Sequence, residues 1–284
     1  MANKVAFITG GASGIGRALA EELAEQGVEV VLADRQAALA EEVAYAIRQA
    51  GGKASAHELD VRDPEQFQRV VDETVARTGR INYLFNNAGI GVAGEIAAYT
   101  LADWDDVFDV NLRGVAYGVQ AVYPVMRAQR SGHIVNTASM AGLLPTGEAG
   151  SYVASKHAVV GLSKVLRVEA KQHGVRVSAL CPGVIRTPIM MGGEYGRTNL
   201  PPRRRADDDE ALGAAQADGR ARVRPQDTAQ GRAQRSDHHR SLVVEAALVR
   251  RAAFTPVELV AVGKSLCPNT STASAVPTAV AIVS

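Results

Sequence analysis

A glycine-rich turn close to the N-terminus constrains the fold of this chain more than any other feature. The turn reads Thr9-Gly10-Gly11-Ala12-Ser13-Gly14-Ile15-Gly16. It follows the short apolar run Val5–Thr9 and opens a segment whose apolar residues recur at helical spacing. Glycines at such a turn let backbone N–H groups approach a pyrophosphate at the start of a helix. The context predicts a βα unit that binds a dinucleotide, and the alternative is an ordinary strand-to-helix turn.

Strands and helices alternate along the first part of the chain. Apolar runs bounded by turn residues predict strands at 5–9, 28–33, 54–59, 83–86, 133–137 and 175–180, and helical spacing predicts helices at 13–26, 36–50, 64–78, 101–129 and 151–173. The alternation predicts an α/β fold, a Rossmann-like doubly wound parallel sheet in a single domain, residues 1–199. The ligand crevice is expected at the carboxyl ends of the strands, and residues 200–284 form an irregular C-terminal segment.

Composition narrows the classes of partner. The chain has 284 residues, with 31 Lys plus Arg against 30 Asp plus Glu, so no global charge indicates nucleic acid or an anionic membrane. Its two cysteines, Cys181 and Cys267, form no CxxC pair and are typical of a reducing compartment. No apolar run reaches the ~18 residues of a membrane span. A small-molecule ligand, no nucleic acid, no membrane span and a cytoplasmic location are expected.

The histidines and cysteines do not indicate a metal site. The histidines show neither an HExxH motif nor metal-ligand spacing. Cys181 precedes Pro182 at the end of a predicted strand and is typical of a buried small apolar residue. No metal is expected.

The residue that ends the second strand bears on the choice of cofactor. Asp34 lies 18 residues beyond Gly16, where a carboxylate accepts hydrogen bonds from an adenosine ribose and repels a 2′-phosphate. NAD is therefore preferred, and NADP stays open because Arg35 and Arg17 are suited to pair with a phosphate. The alternative role of Asp34 is that of a helix N-cap.

Two further segments follow strands at the same edge of the sheet. Asp60 and Val61 come after the third strand, and Asn86-Asn87-Ala88-Gly89-Ile90 follows the fourth. By position they are expected to line the adenine and the mouth of the sheet. A plain strand-ending loop is the alternative for the Asn-Asn-Ala-Gly turn.

Three separated residues point to acid–base chemistry. Tyr152 and Lys156 are four residues apart on a predicted helix, which brings a phenol and an ammonium to one face, and Ser139 follows the fifth strand. A phenol with a pKa of ~10 needs a decrease of roughly 3 units to act as a base near neutral pH. An ammonium ~4 Å away at an effective dielectric constant of about 20 supplies about that much. We therefore expect Lys156 to lower the pKa of Tyr152. The alternatives are a helix-surface phenol and a strand-end hydroxyl.

These motifs together resemble the short-chain dehydrogenase/reductase family in order and spacing. The matching residues are Thr9-Gly10-x-x-x-Gly14-x-Gly16, Asn86-Asn87-Ala88-Gly89, Asn111, Ser139, Tyr152-x-x-x-Lys156 and Pro182-Gly183. The resemblance covers residues 4–190 and implies that Tyr152 is the acid/base, that Ser139 holds the substrate oxygen, and that Asn111 supports a proton relay through water. Lys156 would bind the nicotinamide ribose. The implied cofactor-binding residues are Thr9, Gly10, Ser13, Gly14, Ile15, Gly16, Asp34, Arg35, Asp60, Val61, Asn87, Ala88, Gly89, Tyr152, Lys156, Pro182, Gly183, Ile185 and Thr187.

The expected activity is hydride transfer between NAD(P) and a secondary alcohol or ketone. Residues 182–199 look like the substrate loop of the family, in which Thr187 would contact the nicotinamide carboxamide. The Ile and Met residues of this loop, with Leu143, Leu144 and Pro145 after the serine, indicate a largely apolar pocket for a substrate of medium size. Two alternatives are a protein that senses NAD without turnover and a catalytically impaired family member with a damaged C-terminus.

The C-terminal segment differs in character from the rest. Between Arg203 and Arg251 there are eleven Arg and no Lys, and Phe254 is the only aromatic residue from position 201 onward. The stretch up to His239 lacks apolar periodicity, so it cannot bury enough surface to offset its ordering entropy. We expect most of this segment to be poorly ordered.

We hypothesise that a single-base frameshift near residue 200 replaced the native C-terminus. Codons available to residues 230–241, read one base downstream, permit Lys-Ala-Val-Arg-Asn-Glu-Ala-Ile-Ile-Ile-Val followed by Pro, which resembles the last helix and seventh strand of the family. Without that strand the sheet is expected to expose an unpaired edge. The homo-oligomer typical of the family would then lose part of its contact surface.

Overall fold

Strands and helices alternate in the computed structural model, which describes residues 4–183, 185, 187–190, 195–199 and 280–283. The strands are β1 Val5–Thr9, β2 Glu29–Asp34, β3 Ala54–Glu58, β4 Tyr83–Asn86, β5 Gly91–Ala93, β6 Gly132–Thr137, β7 Val175–Pro182, β8 Gly196–Thr198 and β9 Val280–Val283. The helices are α1 Gly14–Glu25, α2 Ala37–Gln49, α3 Pro64–Thr78, α4 Leu101–Phe108, α5 Gly114–Gln129 and α6 Gly150–Lys171. A π-helical turn, Asp109–Arg113, joins α4 to α5, and short 3₁₀ turns lie at Ile96–Ala98, Met140–Gly142 and Pro188–Met190.

The central sheet has the strand order β3-β2-β1-β4-β6-β7-β9. The first six of these strands are parallel, and they are the six strands that the sequence predicts, with shifts of at most two residues at their ends. The Rossmann-like doubly wound fold is therefore confirmed. The chain runs outward from β1 to β3 and then returns to place β4 on the other side of β1. This reversal creates the crevice in which α/β sheets bind ligands.

The edge of the sheet beside β7 differs from the prediction. Val280–Val283 pairs antiparallel with β7, with Val283 opposite Ala179 and Val280 opposite Pro182. The expectation of an unpaired edge at this strand is wrong, because an apolar and largely β-branched run satisfies the edge backbone there. The expected disorder and the frameshift hypothesis concern the segment 200–284, of which residues 200–279 and 284 lie outside the described residues.

The core has one apolar layer on each face of the sheet. Ile8 belongs to the layer formed with α1 and α2, whereas its neighbour Phe7 faces the other layer and stacks on Phe67 of α3, with 5.8 Å between ring centroids. Since parallel strands are covered on both faces, they form continuous apolar runs rather than alternating ones. This double cover holds the carboxyl ends of β1, β4 and β6 in fixed positions beside one another.

The long helical region predicted for residues 101–129 is interrupted. A capping box between Thr100 and Asp103 begins α4, and the turn Asp109–Arg113 is π-helical before α5 continues. Turns of this kind are frequent at functional sites. The interruption brings Asn111 into the interior, where it is 0% exposed.

A second, two-stranded sheet forms beside the main one. In it β5 pairs in parallel with β8, so that Gly91 lies opposite Gly196. Gly196 has φ 145°, and a Cβ there would overlap the Gly91 carbonyl oxygen. Arg197 of β8 donates to Asp103 at 2.9 Å and to Asp106 at 2.6 Å, both on α4. These contacts hold residues 195–199 against the elements that follow β4. None of the helices in the described ranges is long and apolar enough to cross a membrane.

Candidate active site

The glycine turn between β1 and α1 lies at the reversal of the strand order. Gly10 and Gly14 have positive φ angles of 65° and 51°, which favour glycine. A Cβ at Gly16 would overlap the Gly10 carbonyl oxygen and lie 2.6 Å from Asn87 Nδ2. The turn therefore has no room for a side chain at Gly16, where it meets Asn87 of the loop after β4, and α1 begins within it at Gly14. This is the arrangement that a pyrophosphate requires at a helix N-terminus.

Hydrogen bonds join the glycine turn to the loop after β4. Thr9 Oγ1 accepts from the backbone N–H groups of Asn87 and Ala88 at 3.0 and 3.1 Å. In return, Asn87 Nδ2 donates to the Thr9 carbonyl at 3.1 Å and to the Gly10 carbonyl at 3.3 Å. The two segments predicted to bind the cofactor thus form one rigid unit at the crevice.

Asp34 lies at the end of β2 beside the glycine turn. Its side chain is largely buried, with 7% of the residue exposed. Oδ2 accepts from the Ala12 backbone N–H at 3.0 Å, and Oδ1 accepts from that of Gln36 at 3.0 Å. Asp34 is not the helix N-cap of the alternative interpretation, because α2 has Gln36 in that position. Each carboxylate oxygen retains a lone pair for a ribose hydroxyl.

Arg17 and Asp60, two charged residues at this edge of the sheet, form ion pairs within the chain. Arg17 donates to Glu21 at 2.9 Å, and the Asp60 carboxylate accepts from Arg62 Nε at 3.0 Å. That hydrogen bond lowers the pKa of Asp60. Val61 packs against the start of α5, where a Cβ on Gly114 would lie 2.8 Å from Val61 Cγ2. The contact predicted between Asp60 and an adenine therefore has to compete with an ion pair within the chain.

Lys156 and Tyr152 lie one turn apart on α6, as the sequence predicts. Lys156 is 3% exposed, and its Nζ donates to the Thr137 carbonyl at 2.8 Å. The ammonium lies over the Tyr152 ring, 5.5 Å from the ring centroid. Burial lowers the pKa of Lys156 to about 8, because the charged form loses its hydration.

The pKa of Tyr152 departs from its ordinary value in the direction opposite to the prediction. Burial raises it, and the hydrogen bond with the Ser139 hydroxyl opposes that effect in part. The expected decrease caused by Lys156 is absent, because the ammonium faces the ring and bonds to Thr137. Ser139 Oγ also accepts from the Ala141 backbone N–H at 3.1 Å, which orients the hydroxyl toward α6.

Asn111 binds the backbone of the loop after β4. Its Oδ1 accepts from Ile90 N at 2.9 Å, and its Nδ2 donates to the Ile90 carbonyl at 2.9 Å. The second Nδ2 proton goes to Ser155 Oγ at 3.2 Å. Gly89 lies between this amide and the ammonium, since a Cβ there would be 3.3 Å from Asn111 Oδ1 and 3.6 Å from Lys156 Nζ. The side chain of Asn111 is thus committed to positioning the loop.

The loop after β7 returns to the glycine turn. Pro182 ends β7, and Ile185 is 8% exposed and packs on Ala18. Thr187 lies opposite the glycine turn, because a Cβ on Gly14 would be 3.4 Å from Thr187 Cβ. Val184, Arg186 and residues 191–194 of the predicted substrate loop lie outside the described residues.

Only some of the residues predicted to line an apolar substrate pocket lie near Tyr152 in the described part of the chain. Ile189 and Tyr152 share a neighbour, because a Cβ on Gly91 would lie 3.8 Å from Ile189 Cγ1 and 4.0 Å from Tyr152 Cδ2. In contrast, Leu143 packs against the cluster that includes Val159 of α6, and Leu144 is 54% exposed. Among the described residues of the proposed pocket, Ile189 has a contact that places it near the Tyr152 ring.

Several residues of the site carry no sequence signal strong enough to single them out. Ser155, between Tyr152 and Lys156, contacts Asn111, and its position on the buried face of a helix is the signal that would have found it. Gln36 Nε2 donates to Tyr195 Oη at 2.9 Å across the crevice. That contact joins residues 159 positions apart, and nothing in the local pattern indicates it.

Neither the Cys181 thiol nor a cluster of metal-binding side chains adds to the site among the described residues. Cys181 is 0% exposed, and burial raises the pKa of its thiol to about 11, which keeps it protonated. Among the described residues, no group of three or more His, Cys, Asp or Glu side chains could hold a metal ion.

Comparison with known proteins defines the class. The model of the short chain dehydrogenase family matches residues 4–195. The chain is 41% identical over 189 residues to the cyclohexanol dehydrogenase of Acinetobacter sp. (strain SE19), with 66% of this chain and 75% of that protein covered. It is 40% identical over 191 residues to the levodione reductase of Leifsonia aquatica, with 66% and 72% covered.

Solved structures agree with this assignment. A short chain dehydrogenase/reductase from Burkholderia phymatum in complex with NAD is 34% identical, with a TM-score of 0.70 and 89% of this chain and 86% of that chain covered. A metagenomic short-chain oxidoreductase in complex with NADP is 36% identical, with a TM-score of 0.62 and 66% and 85% covered. The chain belongs to the short-chain dehydrogenase/reductase family. Its class is that of the NAD(P)-dependent oxidoreductases.

The glycine turn permits a direct test of the cofactor cradle. Gly16→Ala places a methyl group against the Gly10 carbonyl, so we expect NADH affinity to fall at least tenfold, about 1.4 kcal/mol. Fluorescence titration with NADH measures this change. Gly161→Ala is the matched control, because a Cβ on this exposed glycine of α6 meets nothing within 4 Å. The control should keep the affinity and gain up to ~1 kcal/mol of unfolding free energy. Equal affinities in the two variants would contradict the cradle.

Proposed function

We propose that this oxidoreductase interconverts a secondary alcohol and a ketone of medium size and mainly apolar character, with NAD as the preferred cofactor. The observation that carries the proposal is the hydrogen bond between Tyr152 and Ser139 beside the buried Lys156 ammonium. A phenol that can give a proton and a hydroxyl that can hold an oxygen meet there. Those are the two groups that carbonyl reduction needs at the substrate oxygen.

The cofactor is expected to lie along the crevice from the glycine turn to Thr187. The residues that would hold it are those of the glycine turn, Asp34, the loop after β4, Lys156 and the loop after β7, and the tight turn at Gly16 fits a pyrophosphate. When bound, the nicotinamide supplies or accepts the hydride. The chain itself has to orient the substrate and move one proton.

Tyr152 is proposed to be the proton donor and acceptor. Burial raises the pKa of this phenol, so the phenol is protonated near neutral pH and is ready to donate to a ketone oxygen. In the opposite direction the phenol first has to lose its proton, and the phenolate then takes the proton of the alcohol hydroxyl. Ser139 would hold the same oxygen by a second hydrogen bond, and Asn111 would keep the neighbouring loop in place for a proton relay through water.

Lys156 is proposed to bind the ribose of the cofactor beside Tyr152 and Ser139. Its ammonium is anchored at Thr137 and has further N–H donors for ribose hydroxyls.

The preference for NAD rests on Asp34. Its carboxylate is buried at the end of β2 and is oriented by two backbone N–H groups. A 2′-phosphate placed near it would meet a like charge in a place of low dielectric constant. Arg35, next in the chain, is exposed and is the residue that would favour NADP instead.

The substrate class rests on Ile189 and on the relatives. Ile189 is an apolar side chain near Tyr152, and the relatives named above are a cyclohexanol dehydrogenase and a levodione reductase. Both names are consistent with a compact alcohol or ketone. The rival function, a sensor that binds NAD without turnover, has no need of Ser139, Tyr152 and Lys156 together.

We also propose that residues 1–199 form the NAD-binding and catalytic domain and carry the whole site. Every predicted site residue lies in that range, and so do the contacts that join them. The segment from residue 200 would then affect stability and assembly more than chemistry.

Removal of one oxygen tests the role of Tyr152. Tyr152→Phe should lower kcat at least 100-fold, about 2.7 kcal/mol, because no other group replaces the proton donor. NADH affinity should stay within threefold of the wild type. Steady-state kinetics and fluorescence titration give the two values. Tyr45→Phe changes an exposed tyrosine of α2 and should leave both unchanged. A Tyr152→Phe variant with more than a tenth of the wild-type kcat would exclude this residue as the acid/base.

The choice of cofactor is tested with an isosteric change at Asp34. Asp34→Asn removes the charge that repels a 2′-phosphate and keeps one acceptor oxygen for the backbone. We expect the ratio of kcat/KM for NAD to that for NADP to fall at least tenfold. Asp72→Asn, which removes an exposed carboxylate of α3, controls for net charge. An unchanged ratio in Asp34→Asn would mean that this carboxylate only orders the glycine turn.

A further inference from the structure

Ser155 connects two residues of the site through its side chain. It is 0% exposed and lies on α6 between Tyr152 and Lys156. Its Oγ accepts from Asn111 Nδ2 at 3.2 Å and donates to the backbone carbonyl of Tyr152 at 2.7 Å. A single hydroxyl therefore joins the π-helical turn to the backbone of the proposed proton donor.

The first turn of α6, which carries Tyr152, has no side-chain cap. The helix begins at Gly150, and its N-cap residue Ala149 provides no side-chain hydrogen bond. The first N–H groups of a helix have no partner within the helix, so an uncapped first turn tends to fray. The Ser155 hydroxyl, in the next turn, donates to the Tyr152 carbonyl and so adds a side-chain contact to this uncapped turn.

The other end of the connection is rigid. Asn111 is 0% exposed and makes two hydrogen bonds to the backbone of Ile90, both at 2.9 Å. The amide cannot turn toward or away from Ser155 without breaking them. Through Ser155 and Asn111, the Tyr152 backbone is thus held at a fixed position relative to the loop after β4, which also borders the cofactor crevice.

We propose that Ser155 is a positioning residue, whose hydroxyl ties the Tyr152 backbone to the Asn111 amide and so holds the phenol at Ser139. The proposal rests on the proposed function of Tyr152. Ser155 itself reaches neither substrate nor cofactor in this arrangement. Loss of the Ser155 hydroxyl should therefore lower kcat without lowering the affinity for the cofactor.

The same helix provides a matched control. Ser163, two turns further on, is 3% exposed; its Oγ accepts from Asn136 Nδ2 at 2.9 Å and donates to the Val159 carbonyl at 2.7 Å. The chemistry of this buried hydroxyl matches that of Ser155. Its partners lie in the core of the sheet, away from Tyr152.

The experiment compares Ser155→Ala with Ser163→Ala in the full chain. Thermal unfolding, NADH titration, steady-state kinetics and hydrogen–deuterium exchange of residues 149–156 are measured for both. We expect similar decreases in Tm, because each variant loses one buried hydroxyl with two partners. Ser155→Ala alone should lower kcat at least tenfold, keep the NADH affinity within twofold, and speed amide exchange in the first turn of α6 at least tenfold.

A double-mutant cycle tests whether Ser155 acts through Asn111. If it does, Asn111→Ala combined with Ser155→Ala should lower kcat by little more than Asn111→Ala alone. Independent, multiplying effects would overturn the proposal. So would equal losses of kcat in Ser155→Ala and Ser163→Ala, or unchanged exchange in the first turn.

The test stays decisive in two further cases. If Ser155→Ala does not fold, Ser155→Cys retains the size with a weaker donor and acceptor, and an intermediate kcat with faster exchange supports the proposal whereas wild-type values overturn it. If the wild-type chain shows no turnover, the proposed function fails. The exchange data then decide separately whether Ser155 orders the first turn of α6.

Discussion

The buried ammonium of Lys156 is the charge on which the arrangement of the site depends. Its Nζ is held by the Thr137 carbonyl at 2.8 Å, so α6 must lie against the end of β6. The 3₁₀ turn after Ser139 fits this contact closely, because a Cβ on Gly142 would lie 2.7 Å from the Lys156 carbonyl oxygen. Desolvation of a charge is costly unless it has a partner, and the pKa of about 8 reflects that cost. Placing the lysine therefore also places Tyr152, one turn away.

Burial moves the two titratable groups of the site toward their neutral forms. The pKa of Tyr152 is raised and that of Lys156 is lowered, and desolvation is the largest cause of both changes. The environment is thus dry enough to strengthen hydrogen bonds to a substrate oxygen. A protonated phenol in such a place suits reduction, whereas oxidation gains as pH rises and the phenol loses its proton. The spacing of Tyr152 and Lys156 predicts an ammonium next to the phenol hydroxyl, whereas in the structure the ammonium lies over the ring face.

The elements that follow local rules could be predicted from the sequence, and those that depend on distant partners could not. The six parallel strands and the glycine turn have apolar runs and glycines in short segments of chain, and each was located within two residues at its ends. The π-helical turn around Asn111 and the pairing of β5 with β8 leave no local pattern, because their partners are far away in the chain. The contact of Ser155 likewise has no local signal, because its partner Asn111 lies 44 positions away in the chain. The pairing of β9 with β7 likewise needs a partner that no local signal specifies.

Turnover with a panel of secondary alcohols tests the central claim most directly. NADH titration first establishes binding, and NAD with cyclohexanol and its acyclic and polar analogues is then followed by NADH absorbance. The account predicts saturable NADH binding and turnover that is fastest with compact apolar secondary alcohols. Binding without turnover of any secondary alcohol, or of the corresponding ketones in the opposite direction, would contradict it and would favour a sensor of NAD.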